Sequence, residues 1–179
     1  MKGVVFTEFI DMVEDKFGFT TVDNIIENSN LPSGGAYTAV GTYDYHEMLS
    51  LVANLHKETQ IGVEDLMKVF GEHLFSRLAS LYPHFMEGVT DPFEFLATIE
   101  NYIHVEVKKL YPDAELPSFE TELMDDKTLK MVYQSIRCLS PVAEGLIMGC
   151  MKYFDSTCSI STKMLTEKGD KVEFLISRK

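Results

Sequence analysis

Two short stretches of this chain hold the residues best suited to chemistry. The first, IHVEVKKLYPDAELP (Ile103–Pro117), sets a single histidine, His104, in an apolar run that two prolines follow. A packed core histidine is the ordinary explanation of such a residue. As a ligand to a bare metal ion it would need company, because zinc sites take three or four protein ligands. His73 and His84 lie eleven residues apart in another segment and add no supporting spacing. The three cysteines, Cys138, Cys150 and Cys158, form no CxxC pair and bring no further ligands at metal spacing. A lone imidazole does suit an iron porphyrin, whose macrocycle supplies four nitrogens and leaves the protein an axial position.

The second stretch is YQSIR (Tyr133–Arg137), in which Tyr133, Ser135 and Arg137 are spaced by two. On a strand, residues so spaced share one face. That face would carry a phenol, a hydroxyl and a guanidinium, all hydrogen-bond donors, and an arginine can grip a carboxylate with two bonds. Haem has two propionates that need such partners. Alone, the pattern is compatible with an ordinary solvated strand face. Beside an axial histidine it describes the other end of a haem cradle.

The elements that must position these residues can be read from spacing. Val5, Phe6, Phe9, Ile10, Val13 and Phe17 recur at helical intervals and stop at Gly18. A short helix around 22–28 follows, then the loop NLPSGGAYT, and helical patterns resume over 45–57 and 63–81. Asp91, Pro92 and Glu94 approximate a capping box that opens a helix running to about Leu110. At about 100° per residue, Phe93 and Ala97 fall within about 20° of His104, which puts the imidazole at the border of the buried face. After Pro117 the period becomes strand-like. SFETELMD and TLKMVYQSIR flank Asp125-Asp126 as a hairpin. Ser140-Pro141 opens a helix to Phe154, whose Gly145 and Gly149, one turn apart, permit close approach by another element. Strands near 159–165 and 172–177 close the chain around Gly169. Helices first, then strands with one inserted helix, give an α+β fold.

Bulk properties bound the function. At 179 residues the chain is the size of one domain. A net charge of -12 and a pI near 4.8 argue against nucleic acid and anionic membranes as partners. Acids at Glu8, Asp11, Glu14 and Asp15 interrupt what would be a signal peptide, no run suits a membrane span, and the cysteine usage suits a reducing cytoplasm. No G-x-S-x-G or Cys/His arrangement suggests an enzyme.

The two stretches together resemble the haem nitric oxide/oxygen binding family (H-NOX, or HNOB), the haem domain shared with soluble guanylate cyclase. MKG at the start, the His104 helix ending in KLYP, Pro117, YQSIR and the following AEGLIMG stand in the family's order and spacing. The resemblance covers residues 1–179 as a single domain, with a helical distal lobe over about 1–60 and a haem-bearing lobe over about 61–179. It implies haem b (iron protoporphyrin IX) as cofactor and His104 as proximal iron ligand. It implies that Tyr133, Ser135 and Arg137 hold the propionates, and that Pro117 presses the porphyrin out of plane.

Oxygen-binding members of the family have a distal tyrosine nine residues after the motif's first tyrosine, where this chain has Val142. A second polar distal position corresponds to Leu74. The expected distal pocket of Val5, Phe9, Leu74, Leu78, Val142 and Leu146 is apolar. Bound oxygen carries partial negative charge and gains about 1 kcal/mol or more from a hydrogen-bond donor, whereas nitric oxide depends less on one. The resemblance thus implies a ferrous five-coordinate haem that takes nitric oxide and carbon monoxide and disfavours oxygen, unless Tyr37, Tyr43 or Tyr45 reaches in from a loop. Loss of the Fe–His104 bond would signal, in trans, to a histidine kinase or a cyclic-di-GMP cyclase or phosphodiesterase. The neighbouring readings are an oxygen-binding member of the same family and a thiol or zinc redox sensor.

Overall fold

A single glycine separates the first two helices. α1 (Gly3–Phe17) ends at Gly18, whose φ of 86° turns the backbone sharply before α2 (Phe19–Glu27) begins. The computed structural model describes residues 1–179. α3 (Tyr45–Thr59) starts where the Asp44 carboxylate accepts from the His46 amide, and it ends at Gln60 in the left-handed region. α4 (Val63–Leu81) follows, then a single 3₁₀ turn over Pro83–Phe85.

The next helical run is not one regular helix. α5 (Pro92–Thr98) is capped by Asp91, which accepts from the amides of Phe93 and Glu94. A π-helical segment (Ile99–Ile103) then leads into α6 (His104–Leu110). Its i→i+5 bonding underwinds the chain, so a regular helical wheel no longer places the residues beyond it. Ala97, which the wheel sets beside His104, is exposed, while the His104 side chain is 14% exposed. Leu110, at the end of the expected helix, is 56% exposed.

β1 (Ser118–Asp125) and β2 (Thr128–Gln134) form the expected hairpin, with a bulge between Leu123 and Asp125. α7 (Ser140–Tyr153) intervenes before β3 (Cys158–Met164) and β4 (Lys171–Arg178). The antiparallel sheet has the order β1-β2-β4-β3. Alternation places Leu129, Met131 and Tyr133 of β2 with Val172, Phe174 and Ile176 of β4 in one core with Ala143, Ile147 and Cys150 of α7.

A second core joins α1, α2, α3 and the first part of α4 around Phe6, Phe9, Leu51, Leu55 and Phe70. α4 therefore belongs to both cores: Leu66, Met67, Phe70 and Leu74 pack in the second, and Phe75 in the sheet core. α4 also supplies the close approach that the glycines of α7 allow. A Cβ on Gly145 would stand 2.1 Å from the Lys68 carbonyl oxygen, and one on Gly149 would stand 2.7 Å from Phe75 Cβ. On the other side, a Cβ on Gly71 would stand 2.3 Å from the Val142 carbonyl oxygen.

Candidate functional site

A cavity of about 340 Å³ opens between α4, α7, the α5–α6 run and the sheet. Sites for small molecules and cofactors fall in the range of about 300–1,000 Å³. Its lining is apolar except for three tyrosines and the side chains of Lys2, His104, Ser135, Arg137 and Glu115. His104 is brought there by α6, Pro117 by the approach to β1, and Tyr133 by the last inward position of β2.

The imidazole is held by its inner nitrogen. Nδ1 lies 3.3 Å from Glu100 Oε2, and the same carboxylate oxygen accepts from the Phe119 amide at 3.0 Å. Nε2 is left as the nitrogen with no protein partner within hydrogen-bond distance. Burial holds the imidazole below its ordinary pKa of 6.5 against the opposing influence of Glu100. At neutral pH the ring is therefore uncharged, the form in which it can ligate a metal.

Tyr133, Ser135 and Arg137 all line this cavity, although not by strand alternation. β2 ends at Gln134, and a turn carries the rest. Ser135 accepts the Arg137 amide on its hydroxyl and the Cys138 amide on its carbonyl, and Cys138 sits at φ 52°. This compact turn, closed by a serine hydroxyl, is what aims Arg137. Tyr133 is 3% exposed, and its hydroxyl accepts from the Leu139 amide at 3.1 Å, so its own proton remains free to donate. Burial pushes that phenol above its usual pKa.

Arg137 already shows how it takes a carboxylate. Nη1 donates to the Glu115 carbonyl and Nη2 to Glu115 Oε2, each at 2.7 Å, while the buried Nε has no partner. The Glu115 side chain is 78% exposed and the Arg137 side chain 9%. Glu115 can therefore leave for water, whereas the guanidinium stays at the cavity edge. An orphaned buried donor, a second donor on Tyr133 and a free imidazole nitrogen around an apolar slot fit an iron porphyrin with acidic tails. His104 would hold the iron, and Arg137, Tyr133 and Ser135 the carboxylates.

Val5, Leu74, Leu78, Val142 and Leu146 line the cavity from α1, α4 and α7. Phe9 does not. It lies fully buried behind the wall, edge-on to Phe70, which takes the lining position instead. Tyr37, Tyr43 and Tyr45 do not line the cavity either. Tyr37 donates to Glu47 at 2.9 Å, the Tyr43 hydroxyl accepts from the Thr38 amide, and the Tyr45 ring lies 5.9 Å from the Arg137 guanidinium. Tyr82 and Tyr111 do line the cavity, with their hydroxyls 3.4 Å apart.

Glu100, Glu115, Lys2 and Phe70 are site residues that the spacing arguments passed over. Glu100 had a legible signal, because it precedes His104 by one helical turn. Lys2 had none. It reaches the site from the first residues, where its ammonium binds Asp113 at 3.2 Å and Thr42 at 2.8 Å. No group of three or more His, Cys, Asp or Glu side chains gathers where it could hold a bare metal ion. Cys138 is exposed, Cys150 buried and Cys158 between, all as free thiols. No helix is long and apolar enough to cross a membrane.

Comparison with solved structures gives the same fold. An H-NOX protein from K. algicida, in the Fe(II) unliganded state, is 45% identical with a TM-score of 0.94, and the match covers 100% of this chain and 97% of that one. An H-NOX from Shewanella woodyi, solved in the Fe(II)CO state with IWP-051 bound, is 40% identical with a TM-score of 0.84 over 100% and 95% of the two chains. One from S. oneidensis, in the Fe(II)NO state, is 28% identical with a TM-score of 0.92 over 100% and 99%. No curated protein matches the chain. The Haem-NO-binding family model matches residues 2–162, and with the cradle just described this chain belongs to that family.

Proposed function

We propose that this protein is a haem-based gas sensor. It binds nitric oxide and carbon monoxide at a ferrous five-coordinate haem b held by His104, disfavours oxygen, and signals to a separate enzyme. The observation that carries the reading is the pairing of a nearly buried His104, held through Nδ1 by Glu100, with Arg137 and Tyr133 on the lining of one apolar cavity. The solved relatives in nitric oxide and carbon monoxide states support the ligand class. The apolar side chains of Leu74, Leu78, Val142 and Leu146 support discrimination against oxygen, since none can donate a hydrogen bond.

His104 would hold the iron of a bound haem, and that iron would supply the position that takes the gas. The chain's own work is to hold and release His104. While the imidazole is tethered, α6 stays against the cavity and Pro117 keeps its place on the lining. Once it is released, α6 is free to relax, and the first lobe (about residues 1–60) shifts against the rest. The ligand moves the equilibrium between the two arrangements only by its differential affinity for them. A histidine kinase or a cyclic-di-GMP enzyme would read it in trans. The role is that of a sensor, not a catalyst.

The test is the absorption spectrum of reduced protein, alone, in air, and with nitric oxide or carbon monoxide. A five-coordinate ferrous haem that responds to both gases and forms no stable complex in air is expected. A stable oxygen complex would move the protein to the oxygen-binding side of the family. His104→Gly should retain haem only with added imidazole, and an unchanged spectrum would remove His104 as the ligand.

A further inference from the structure

The pairing of Glu100 with His104 goes beyond a cradle, and the inference rests on the haem reading above. On a helix the side chains lean toward the N-terminus, so a carboxylate one turn earlier meets the ring nitrogen nearer the backbone. Here Glu100 Oε2 lies 3.3 Å from His104 Nδ1. The π-helical segment Ile99–Ile103 carries Glu100 and delivers His104 at its end.

The carboxylate is itself fixed. The same oxygen accepts from the Phe119 amide at 3.0 Å, at the start of β1. The Phe119 ring lies 5.9 Å from His104 and 5.6 Å from Tyr133. One acceptor therefore ties the imidazole to the strand that pairs with β2, the strand bearing Tyr133. The His104 side chain is only 14% exposed, so this bond is sheltered on the imidazole's side, although Glu100 itself is 41% exposed.

We propose that Glu100 is the positioning residue of the axial ligand. It accepts the Nδ1 proton, which fixes the tautomer with Nε2 free, and its negative charge makes the imidazole a stronger donor. It thereby sets how readily nitric oxide displaces His104. Partners of this kind behind a ligating histidine alter metal binding by about 10- to 100-fold when removed.

The experiment uses the full chain with Glu100 intact and as Glu100→Gln and Glu100→Ala. In reduced, haem-loaded protein, resonance Raman reads the iron–imidazole stretch, and nitric oxide titration reads the fraction that loses the axial imidazole. Glutamine retains a neutral acceptor and alanine none. The stretch should fall in the order Glu, Gln, Ala, and the displaced fraction should rise in that order. In haem-free protein, ¹⁵N NMR should place the His104 proton on Nδ1 in the parent and on a mixture of both nitrogens in Glu100→Ala. Equal stretches and equal displaced fractions in three folded, haem-loaded proteins would overturn the proposal. If Glu100→Ala does not fold, the Glu100→Gln comparison decides alone. If the parent shows no iron–imidazole stretch, the haem reading falls. The tautomer measurement then still decides the pairing, and an unchanged tautomer refutes it.

Discussion

Arg137 is the residue whose surroundings say most about its task. Its guanidinium is nearly sheltered, forks onto Glu115, and keeps Nε buried without a partner. A buried donor with nothing to bond is costly, and a bound carboxylate would remove that cost. Arg137→Ala should therefore speed haem loss roughly tenfold, since one charge-assisted hydrogen bond is worth about 1.5 kcal/mol or more. Nitric oxide binding by the haem that remains should persist. Haem transfer to an acceptor protein measures this, and equal rates in mutant and parent would count against the propionate role. His104 and Tyr133 are tuned differently, because burial lowers the imidazole pKa and raises the phenol's. Both shifts favour the neutral form. A dry, uncharged lining is what an apolar macrocycle needs, and charge is confined to the edge.

At the scale of elements, the placement of His104 depends on how α5 is anchored and how α4 meets α7. Asp91 caps α5 and takes two bonds from Arg178 of β4, at 2.6 and 2.7 Å. Arg178 holds the Asp91 carboxyl below its ordinary pKa of 3.8. The folded state then binds fewer protons than the unfolded one, so the stabilisation is present above 3.8 and is lost as pH falls through the depressed folded value. Asp91→Asn keeps a capping side chain and removes the charge. The pair is partly exposed and screened, so the substitution should cost about 1 kcal/mol at neutral pH. Urea denaturation should show that gap closing in acid, and a gap independent of pH would refute the account. The α4–α7 contact is less forgiving. Gly145→Ala would drive a methyl into the Lys68 carbonyl, so the helices must part, at a cost of about 1–3 kcal/mol. Because α7 also carries Val142 and Leu146, the same variant should alter carbon monoxide dissociation in flash photolysis. A denaturation midpoint equal to the parent's would show that the contact is not tight.

Over the whole molecule, two cores share α4, and Asp113 ties the first residues to the segment beyond α6 by polar contacts. Lys2 and Thr42 both bind Asp113, at 3.2 and 2.9 Å. Met1 and Lys2 are themselves tied to the Thr42–Tyr43 stretch, by the bond from the terminal ammonium to the Tyr43 carbonyl and by the Lys2–Thr42 bridge. If the first lobe moves as a body, Lys2 and Thr42 move together and part from Asp113. Asp113→Asn should leave global stability nearly unchanged, because the carboxylate is exposed. It should nevertheless speed amide exchange at the start of α1 and reduce the further change that nitric oxide produces there. Identical exchange in the two proteins would remove Asp113 as a latch.

The sequence by itself was enough for most elements and for the family. Helix ends followed from Gly18, Asp91-Pro92 and Ser140-Pro141, the hairpin from Asp125-Asp126, and the resemblance to the family from His104 with Tyr133, Ser135 and Arg137. These are local signals, carried by spacing along the chain. The tertiary structure decided what proximity decides. A π segment reset the rotation that a regular wheel assigns to His104, a serine-closed turn replaced the strand expected at Arg137, and Phe70 displaced Phe9 from the cavity wall. It also revealed α4 as the partner of the glycines in α7, and Glu100 as the shared acceptor of His104 and Phe119. Each of these depends on atoms brought together from separate turns or segments, and spacing along the chain does not encode that distance.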